Sequence, residues 1–234
     1  MINKQLIVLA GGFGTRLQSI LKGKPKPLAD INGVPFIQLL FANWIEQGFS
    51  KFIISLHYES NQIIGFVEVL KKTILENCEV NYVVESAPLG TGGAISYVVN
   101  ELNLTNDIFI ANADTWVDSG FKILNSEKKD VIGIVRMEDT SRYGKVVIDD
   151  DNNIVGFEEK NENSSSGFIN AGIYKLSSTL FTNWNGKAYS LERELFPTLI
   201  QDQRLCGIEL NSNFIDIGIP EDYYKFCNIN KLKK

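Results

Sequence analysis

The chain has 234 residues and 44% apolar content, enough to bury a full core in one large domain or two small ones. A net charge of −5 argues against a general nucleic-acid binder, and three scattered cysteines (Cys78, Cys206, Cys227) with no CxxC pair argue against a disulfide scaffold and for a reducing, cytoplasmic setting. The first apolar stretch, "LIVLA", is too short for a signal-peptide core, and no stretch approaches the length of a membrane span.

In chain order, "QLIVLA" reads as a strand that spills into the glycine loop "GGFG". "PFIQLLFANWIEQG" reads as a helix with Pro35 in its first turn and Gly48 just past its end. "KFIISL", "VNYVVE" and "DIFIANAD" are further strands, with "GGAISYVVNEL" a helix between the last two. Strands apolar on both faces, alternating with helices, predict a parallel sheet covered on each side. The second half changes character. "GKVVIDDDNNIVGFEEK" predicts a hairpin, "FINAGIYKL" a strand and "SLERELFPTLI" a helix, and "FIDIGIPEDYYKFCNI" closes the chain as strand, turn and helix. The expected architecture is α/β: a Rossmann-like, mostly parallel mixed sheet flanked by helices, with a small added β lobe. One domain over residues 1–234 is expected, its parallel part at about 1–115 and its added part at about 116–234.

The stretch "LAGGFGTRLQ" carries the first chemical signal. The dinucleotide fingerprint G-x-G-x-x-G fails because Leu17 stands where its third glycine belongs. The P-loop fails too, since Lys24, Lys145 and Lys187 follow glycines but precede Pro25, Val146 and Ala188. What remains is a loop of exposed N–H groups able to cradle an anion at a helix N-terminus. Arg16 adds a planar cation suited to phosphate, and "KGKPKPL" supplies Lys22, Lys24 and Lys26, with prolines that hold the segment extended. Taken alone, "GGFG" fits a tight turn before a solvated basic loop equally well. Arg16 and the prolines favour phosphate.

"LAGGFGTRL" followed by "KPKPL" resembles the signature of the sugar-phosphate nucleotidyltransferases, and the likeness continues in order through "ESAPLGTGGA", "NADT", "RYG", "FEEK", "INAGIY" and "IDIGIPEDY". The resemblance implies joining of a nucleoside triphosphate to a sugar 1-phosphate, with Mg²⁺, by in-line attack on the α-phosphorus. A sugar 1-phosphate is largely ionised near neutrality, so no general base is needed, and alignment, charge neutralisation and a metal suffice. His57, the single histidine, reads as structural. Asp114 ends an apolar strand and Asp216 stands at a strand-to-turn position, so both carboxylates suit a Mg²⁺ that substrate phosphates complete; either one alone also fits a turn or cap.

The resemblance implies roles residue by residue. Lys26 contacts the nucleotide phosphates and Arg16 gathers the leaving pyrophosphate. Asp114 and Asp216 hold the metal, and Lys160 holds the sugar phosphate with Glu159 on sugar hydroxyls. On residues alone, Glu159 and Lys160 fit a solvated hairpin end. Leu9, Ala10, Gly11, Gly12, Gly14, Thr15, Glu85, Pro88, Gly90 and Thr91 match nucleotide-pocket positions, and Asn112, Gly144, Asn170 and Gly172 match sugar-pocket positions. Glu192 stays open between a sugar hydroxyl and the solvent face of a helix. Where the family usually has glycine before the first metal aspartate, this chain has Ala113.

Glu85 bears on the base. An ionised carboxylate only accepts hydrogen bonds, and guanine presents two adjacent donors, N1–H and N2–H₂, on one edge. GTP is therefore the best match if Glu85 reaches that edge; a ribose or backbone partner for Glu85 stays open. "KPLADINGVPF", "PLGTGGAI" and "FIDIGIPEDYYKF" look most like the D-glycero-D-manno-heptose 1-phosphate guanylyltransferases, which make GDP-heptose for capsules, S-layers or lipopolysaccharides. The alternatives are a mannose, glucose or amino-sugar 1-phosphate enzyme using UTP, CTP or dTTP, and a catalytically silent regulatory relative, against which Arg16, Lys26, Asp114 and Asp216 all stand. Family habit implies a homodimer, and nothing in the chain implies a nucleic-acid or membrane partner.

Overall fold

In the computed structural model, which describes residues 5–158 and 166–231, the chain folds into two units that interleave along the sequence. The first comprises the described residues up to Pro88, Ala111–Asp118 and those from Asn213 onward; the second comprises Leu89–Ile110 and Ser119–Ser212.

In the first unit the strands Leu6–Leu9, Lys51–Leu56 and Glu79–Val84 pair in parallel, with Leu6 opposite Phe52 and Lys51 opposite Glu79. The end of the strand Asp107–Asn112 lies beside Leu6–Leu9. Parallel neighbours need crossover helices, and Phe36–Glu46 and Ser60–Leu70 supply them. Leu6, Ile7, Val8, Ile53 and Ile54 are buried, as are Phe36, Phe41 and Ile63 of the crossover helices, which is why these strands read as unbroken apolar runs. Each such side chain contributes about 1.5–3 kcal/mol on burial. Pro35 stands at the N-cap rather than inside the first turn of its helix, and Gly48 follows the helix end with φ 99°. The chain's last segment returns as the strand Phe214–Asp216, antiparallel to Thr115–Val117, before the helix Pro220–Lys231. That helix is tied down by Tyr223, whose hydroxyl donates to the Asp30 carbonyl, and by Asn32 Nδ2, which donates to the Cys227 carbonyl at 2.7 Å.

In the second unit Asp130–Met137 lies between Gly167–Ser177, antiparallel to it, and Leu205–Glu209, parallel to it. The expected hairpin is present: Lys145–Ile148 pairs with Ile154–Glu158, and Asp149 ties the turn by accepting the N–H groups of Asp151 and Asn153. The helices are Gly90–Glu101, Phe121–Ser126 and Phe196–Gln201. The helix expected from "SLERELFPTLI" starts as a wide π-type turn, Leu191–Leu195. Pro197 cannot donate to the carbonyl one α-turn back, so the backbone widens there before the α-helix begins.

The fold class is the expected one, a mostly parallel mixed sheet flanked by helices. Among the described residues no helix is long and apolar enough to cross a membrane.

Candidate active site

The glycine loop leaves the sheet at Leu9 and is held on both sides. Ala10 N–H donates to the Ser55 carbonyl at 2.9 Å, Tyr58 N–H to the Gly11 carbonyl at 3.4 Å, and Gln18 Nε2 to the Phe13 carbonyl at 3.0 Å. The Phe13 ring meets His57 edge-on at 5.7 Å and Tyr58 at 5.3 Å. Gly14 takes the left-handed conformation, φ 60°, which turns the chain into Thr15–Leu17. One 3₁₀ turn and one α turn, Gln18–Leu21, come after it, too short for a helix dipole of consequence. Any anion affinity here therefore comes from loop N–H groups and from side-chain cations. Gly12, Thr15 and Arg16 are exposed.

The "KPKPL" segment differs from the extended form expected of it. Pro25 is extended at φ −67°, ψ 147°, but Lys26–Leu28 forms a 3₁₀ turn that buries Lys26 between two buried prolines. Its Nζ donates to Asp114 Oδ2 at 2.8 Å.

Asp114 follows Ala113, whose N–H donates to the Leu9 carbonyl at 3.0 Å. Ala113 has no need of glycine's freedom, since its φ is not positive and its side chain is buried at 2% exposure. The ladder that pairs Asp216 with Thr115 then brings the second carboxylate alongside, and Ile217 N–H donates to the Asp114 carbonyl at 3.0 Å. Asp216 Oδ1 accepts from Gly218 N–H at 2.7 Å. Burial pushes the Asp216 pKa up, and the Asp114 charge pushes it further, while Gly218 N–H, Lys26 and Arg16 pull it down. Three charged groups thus meet at Gly218, and Asp114 joins them through its bond to Lys26. A β-carbon built there would sit 2.7 Å from Asp216 Oδ1, 3.2 Å from Lys26 Nζ and 3.4 Å from Arg16 Nη2. Any larger residue there would displace the Asp216 carboxylate, a point the sequence alone did not flag.

Glu85 lies at the end of a neighbouring strand. Its side chain is buried, and Ser55 Oγ donates to Oε1 at 3.0 Å. Glu85 N–H donates to the Leu56 carbonyl at 2.8 Å, and His57 Nδ1 stands 3.1 Å from the Glu85 carbonyl, which places the proton on Nδ1 because a carbonyl only accepts. Gly11 passes close by, since a β-carbon there would lie 3.5 Å from Glu85 Oε1. Pro88 is exposed in the same unit, and Asn112 is partly exposed at the end of its strand.

Gly90, Thr91, Gly144, Asn170, Gly172 and Glu192 belong to the second unit. There "LGTGG" is clamped by "YSLE". Gly92 and Gly93 N–H donate to the Tyr189 carbonyl, and a β-carbon on Gly92 would sit 2.1 Å from the Tyr189 ring. Thr91 Oγ1 donates to Glu192 Oε2 at 3.2 Å and accepts from Leu191 N–H at 2.9 Å; Ser190 Oγ also donates to Glu192 Oε2, at 2.9 Å. Glu192 is therefore tied to its own unit rather than left on a solvated helix face. Asn170 and Gly172 form a strand irregularity: Gly172, at φ 74°, donates its N–H to Asn170 Oδ1 at 2.9 Å, and Asn170 Nδ2 donates to Tyr174 Oη at 2.9 Å. Gly144 lets the Glu158 carbonyl approach to within 3.1 Å of where its β-carbon would stand. Glu159 and Lys160 lie outside the described residues.

A glycine loop opening from a parallel sheet, with two cations and two carboxylates gathered beside it, is the equipment of a phosphate-transferring nucleotide enzyme. The chain belongs to the nucleotidyl transferase family, whose model matches residues 5–231. It is 35% identical to a D-glycero-alpha-D-manno-heptose 1-phosphate guanylyltransferase of Campylobacter jejuni, covering 95% of this chain and 98% of that protein. A protein of the same name from Aneurinibacillus thermoaerophilus is 33% identical, covering 94% of this chain and 96% of its own. The crystal structure of HddC from Yersinia pseudotuberculosis complexed with GMP-PN superposes with a TM-score of 0.83 at 33% identity, covering 97% of this chain and 99% of that one.

Proposed function

We propose that the chain joins GTP to D-glycero-α-D-manno-heptose 1-phosphate, releasing GDP-heptose and pyrophosphate. The observation that carries the reading is the convergence of Arg16, Lys26 and Asp216 on Gly218, with Asp114 bonded to Lys26. The guanylyltransferase relatives and the GMP-PN complex support the choice of nucleotide and sugar.

On this reading the loop Leu9–Gly14 with Thr15 presents backbone N–H groups to the triphosphate, and Lys26 neutralises its charge. Arg16 gathers the departing pyrophosphate, and Glu85, with Pro88, Gly90 and Thr91, receives the nucleoside. The sugar phosphate is assigned to Lys160, with Asn112, Gly144, Glu159, Asn170, Gly172 and Glu192 on the sugar side. No general base is involved, because the attacking phosphate oxygen is already ionised near neutrality.

The chemistry calls for a divalent cation, and Asp114 and Asp216 fit one. Among the described residues no group of three or more His, Cys, Asp or Glu could hold a metal, so two carboxylates would do so with substrate phosphates completing the shell, as suits Mg²⁺. Burial first, and then the Asp114 charge, push Asp216 up, and a cation held there would relieve the repulsion between the two carboxylates. When bound it would supply neutralisation of the developing phosphate charge.

The test is pyrophosphate release with Mg²⁺, crossing the common nucleoside triphosphates against a panel of sugar 1-phosphates that includes the heptose. Release confined to GTP and the heptose is expected. Release with UTP, CTP or dTTP would keep nucleotidyl transfer and remove the Glu85 assignment. Folded protein that binds nucleotide and releases nothing would be a regulatory relative instead.

A further inference from the structure

We infer that Ser55 is a positioning residue for nucleobase choice: it holds the Glu85 carboxylate at the angle that suits two adjacent base donors. The inference rests on the proposed role of Glu85 as the reader of guanine.

Burying an ionised carboxylate costs several kcal/mol unless donors meet it. Glu85 is 7% exposed, and Ser55, 1% exposed, directs its hydroxyl to Oε1 at 3.0 Å. The hydroxyl is the donor and the carboxylate oxygen the acceptor. Ser55 is itself buried and held in the sheet. It sits mid-sheet, opposite Leu9 on one side and Val83 on the other, and its carbonyl accepts Ala10 N–H. The Glu85 backbone is pinned at both ends, by the Leu56 carbonyl and by His57 Nδ1. With the backbone fixed, the side chain's remaining freedom is rotation about its own bonds, and the Ser55 bond to Oε1 restrains it.

Orientation matters because of what it selects. A fixed carboxylate edge pairs with N1–H and N2–H₂ of guanine in parallel, and it faces an acceptor in every other common base. A carboxylate free to swing pairs with one donor at a time and discriminates poorly. Sites built around oriented hydrogen bonds reject analogues lacking a donor far more strongly than apolar pockets do. Ser55 also lies on the strand that holds the glycine loop at Ala10, so the same residue sets the base reader and the start of the phosphate loop in one register.

The probe is the ratio of kcat/KM for GTP to that for ITP, which differs from GTP only by lacking the 2-amino donor. The wild type is compared with Ser55→Ala, Ser55→Thr, Ser55→Cys and Glu85→Gln, each checked for folding by thermal shift. Glu85→Gln should collapse the ratio. Ser55→Ala should lower it by about fivefold or more, through KM for GTP, and Ser55→Thr, which keeps the hydroxyl, should restore most of it. If Ser55→Ala does not fold, Ser55→Cys, nearly isosteric with a weak donor, carries the same expectation. A ratio that collapses in Glu85→Gln but stays within about twofold of wild type in the serine variants would reduce Ser55 to a packing role and overturn the inference. A ratio unmoved by Glu85→Gln would overturn the Glu85 assignment, and this inference with it.

Discussion

In the first unit Arg16, Lys26, Asp114 and Asp216 gather at the mouth of the sheet; in the second, Arg204, Lys175, Asp107 and Asp130 gather between strand ends, the same residue types in the same numbers. In both groups burial pushes one aspartate's pKa up: Asp216 in the first, Asp130 in the second. What separates them is how the donors are used. Lys175 is almost fully buried and directs its ammonium into the fold, to the Glu127 carbonyl at 2.8 Å, the Lys129 carbonyl at 3.4 Å and Asp107 Oδ2 at 3.2 Å. Asp130 Oδ1 accepts Ser177 N–H at 2.6 Å. Lys26, by contrast, makes one hydrogen bond among the described residues, to Asp114, and Arg16 is exposed with its Nη2 turned toward Gly218. A perturbed carboxylate is thus no signature of a site by itself. Donors left over after the fold has been satisfied are.

The largest effect should come from removing charge in the first cluster. Asp216→Asn should cut pyrophosphate release by about a thousandfold or more, several kcal/mol of lost charge stabilisation in the transfer step. The melting temperature should hold or rise, because asparagine can still accept Gly218 N–H while the disfavoured buried charge is gone. Steady-state kinetics and a thermal scan on the same preparation check both halves. Full activity with a lowered melting temperature would break the comparison, by making the first cluster as structural as the second.

Lys175→Met is the reciprocal experiment. It strands two carbonyls in the second unit and removes an ion pair to the part-exposed Asp107, and should cost about 3 kcal/mol, or roughly 6–12 °C in melting temperature for a chain of this size. Turnover per folded molecule should change less than about twofold, since no phosphate-facing group is touched. A large loss of turnover at unchanged stability would place Lys175 in the chemistry and dissolve the distinction.

The same contrast decides how far each cluster could be read from the chain. The first announces itself in motifs: glycines that fail two common fingerprints, prolines around Lys26, and aspartates at strand ends. What the sequence hides is the ladder between Thr115–Val117 and Phe214–Asp216, which joins the two aspartates across distant segments, and the crowding of charged side chains around Gly218. The second cluster was only half legible: Asp107 and Lys175 fall in the expected strands "DIFIANAD" and "FINAGIYKL", but the strands beside Asp130 and Arg204 did not show. Asp130–Met137 and Leu205–Glu209 each carry an interior glycine that reads as a break. In the fold Gly133 makes room for Ile173 and Leu210, and Gly207 for Ile134 and Ile148, so each is a packing requirement inside a continuous strand. The helix Ser60–Leu70 is hidden in the same way by Gly65 and by the absence of a capping side chain at Glu59. His57 and Ser55 sit in plain sequence, yet only the geometry ties them to Glu85.

The smallest expected effect concerns Asp130, and it tests whether the second cluster is only tolerated. Burial raises the Asp130 pKa above its unfolded value, about 3.9. Protonation is therefore easier in the folded state. The neutral carboxyl's advantage is fully present below about pH 4 and is lost as pH rises through the folded pKa, so at neutral pH the ionised group is a net burden on stability. Asp130→Asn keeps an acceptor for Ser177 N–H; it gives up a 3.8 Å contact with the half-exposed Arg204, worth little in solvent, and the attraction of Lys175, which loss of the Asp107 repulsion partly offsets. The variant should gain roughly half to one kcal/mol at pH 7, a rise of about 1–3 °C, and the gain should fade as the comparison is repeated toward pH 4. Denaturant melts of both proteins across that range measure it. A loss of stability at pH 7 that vanishes in acid would mean that the Arg204 and Lys175 charges outweigh burial, and that the second cluster holds its ions because they stabilise it.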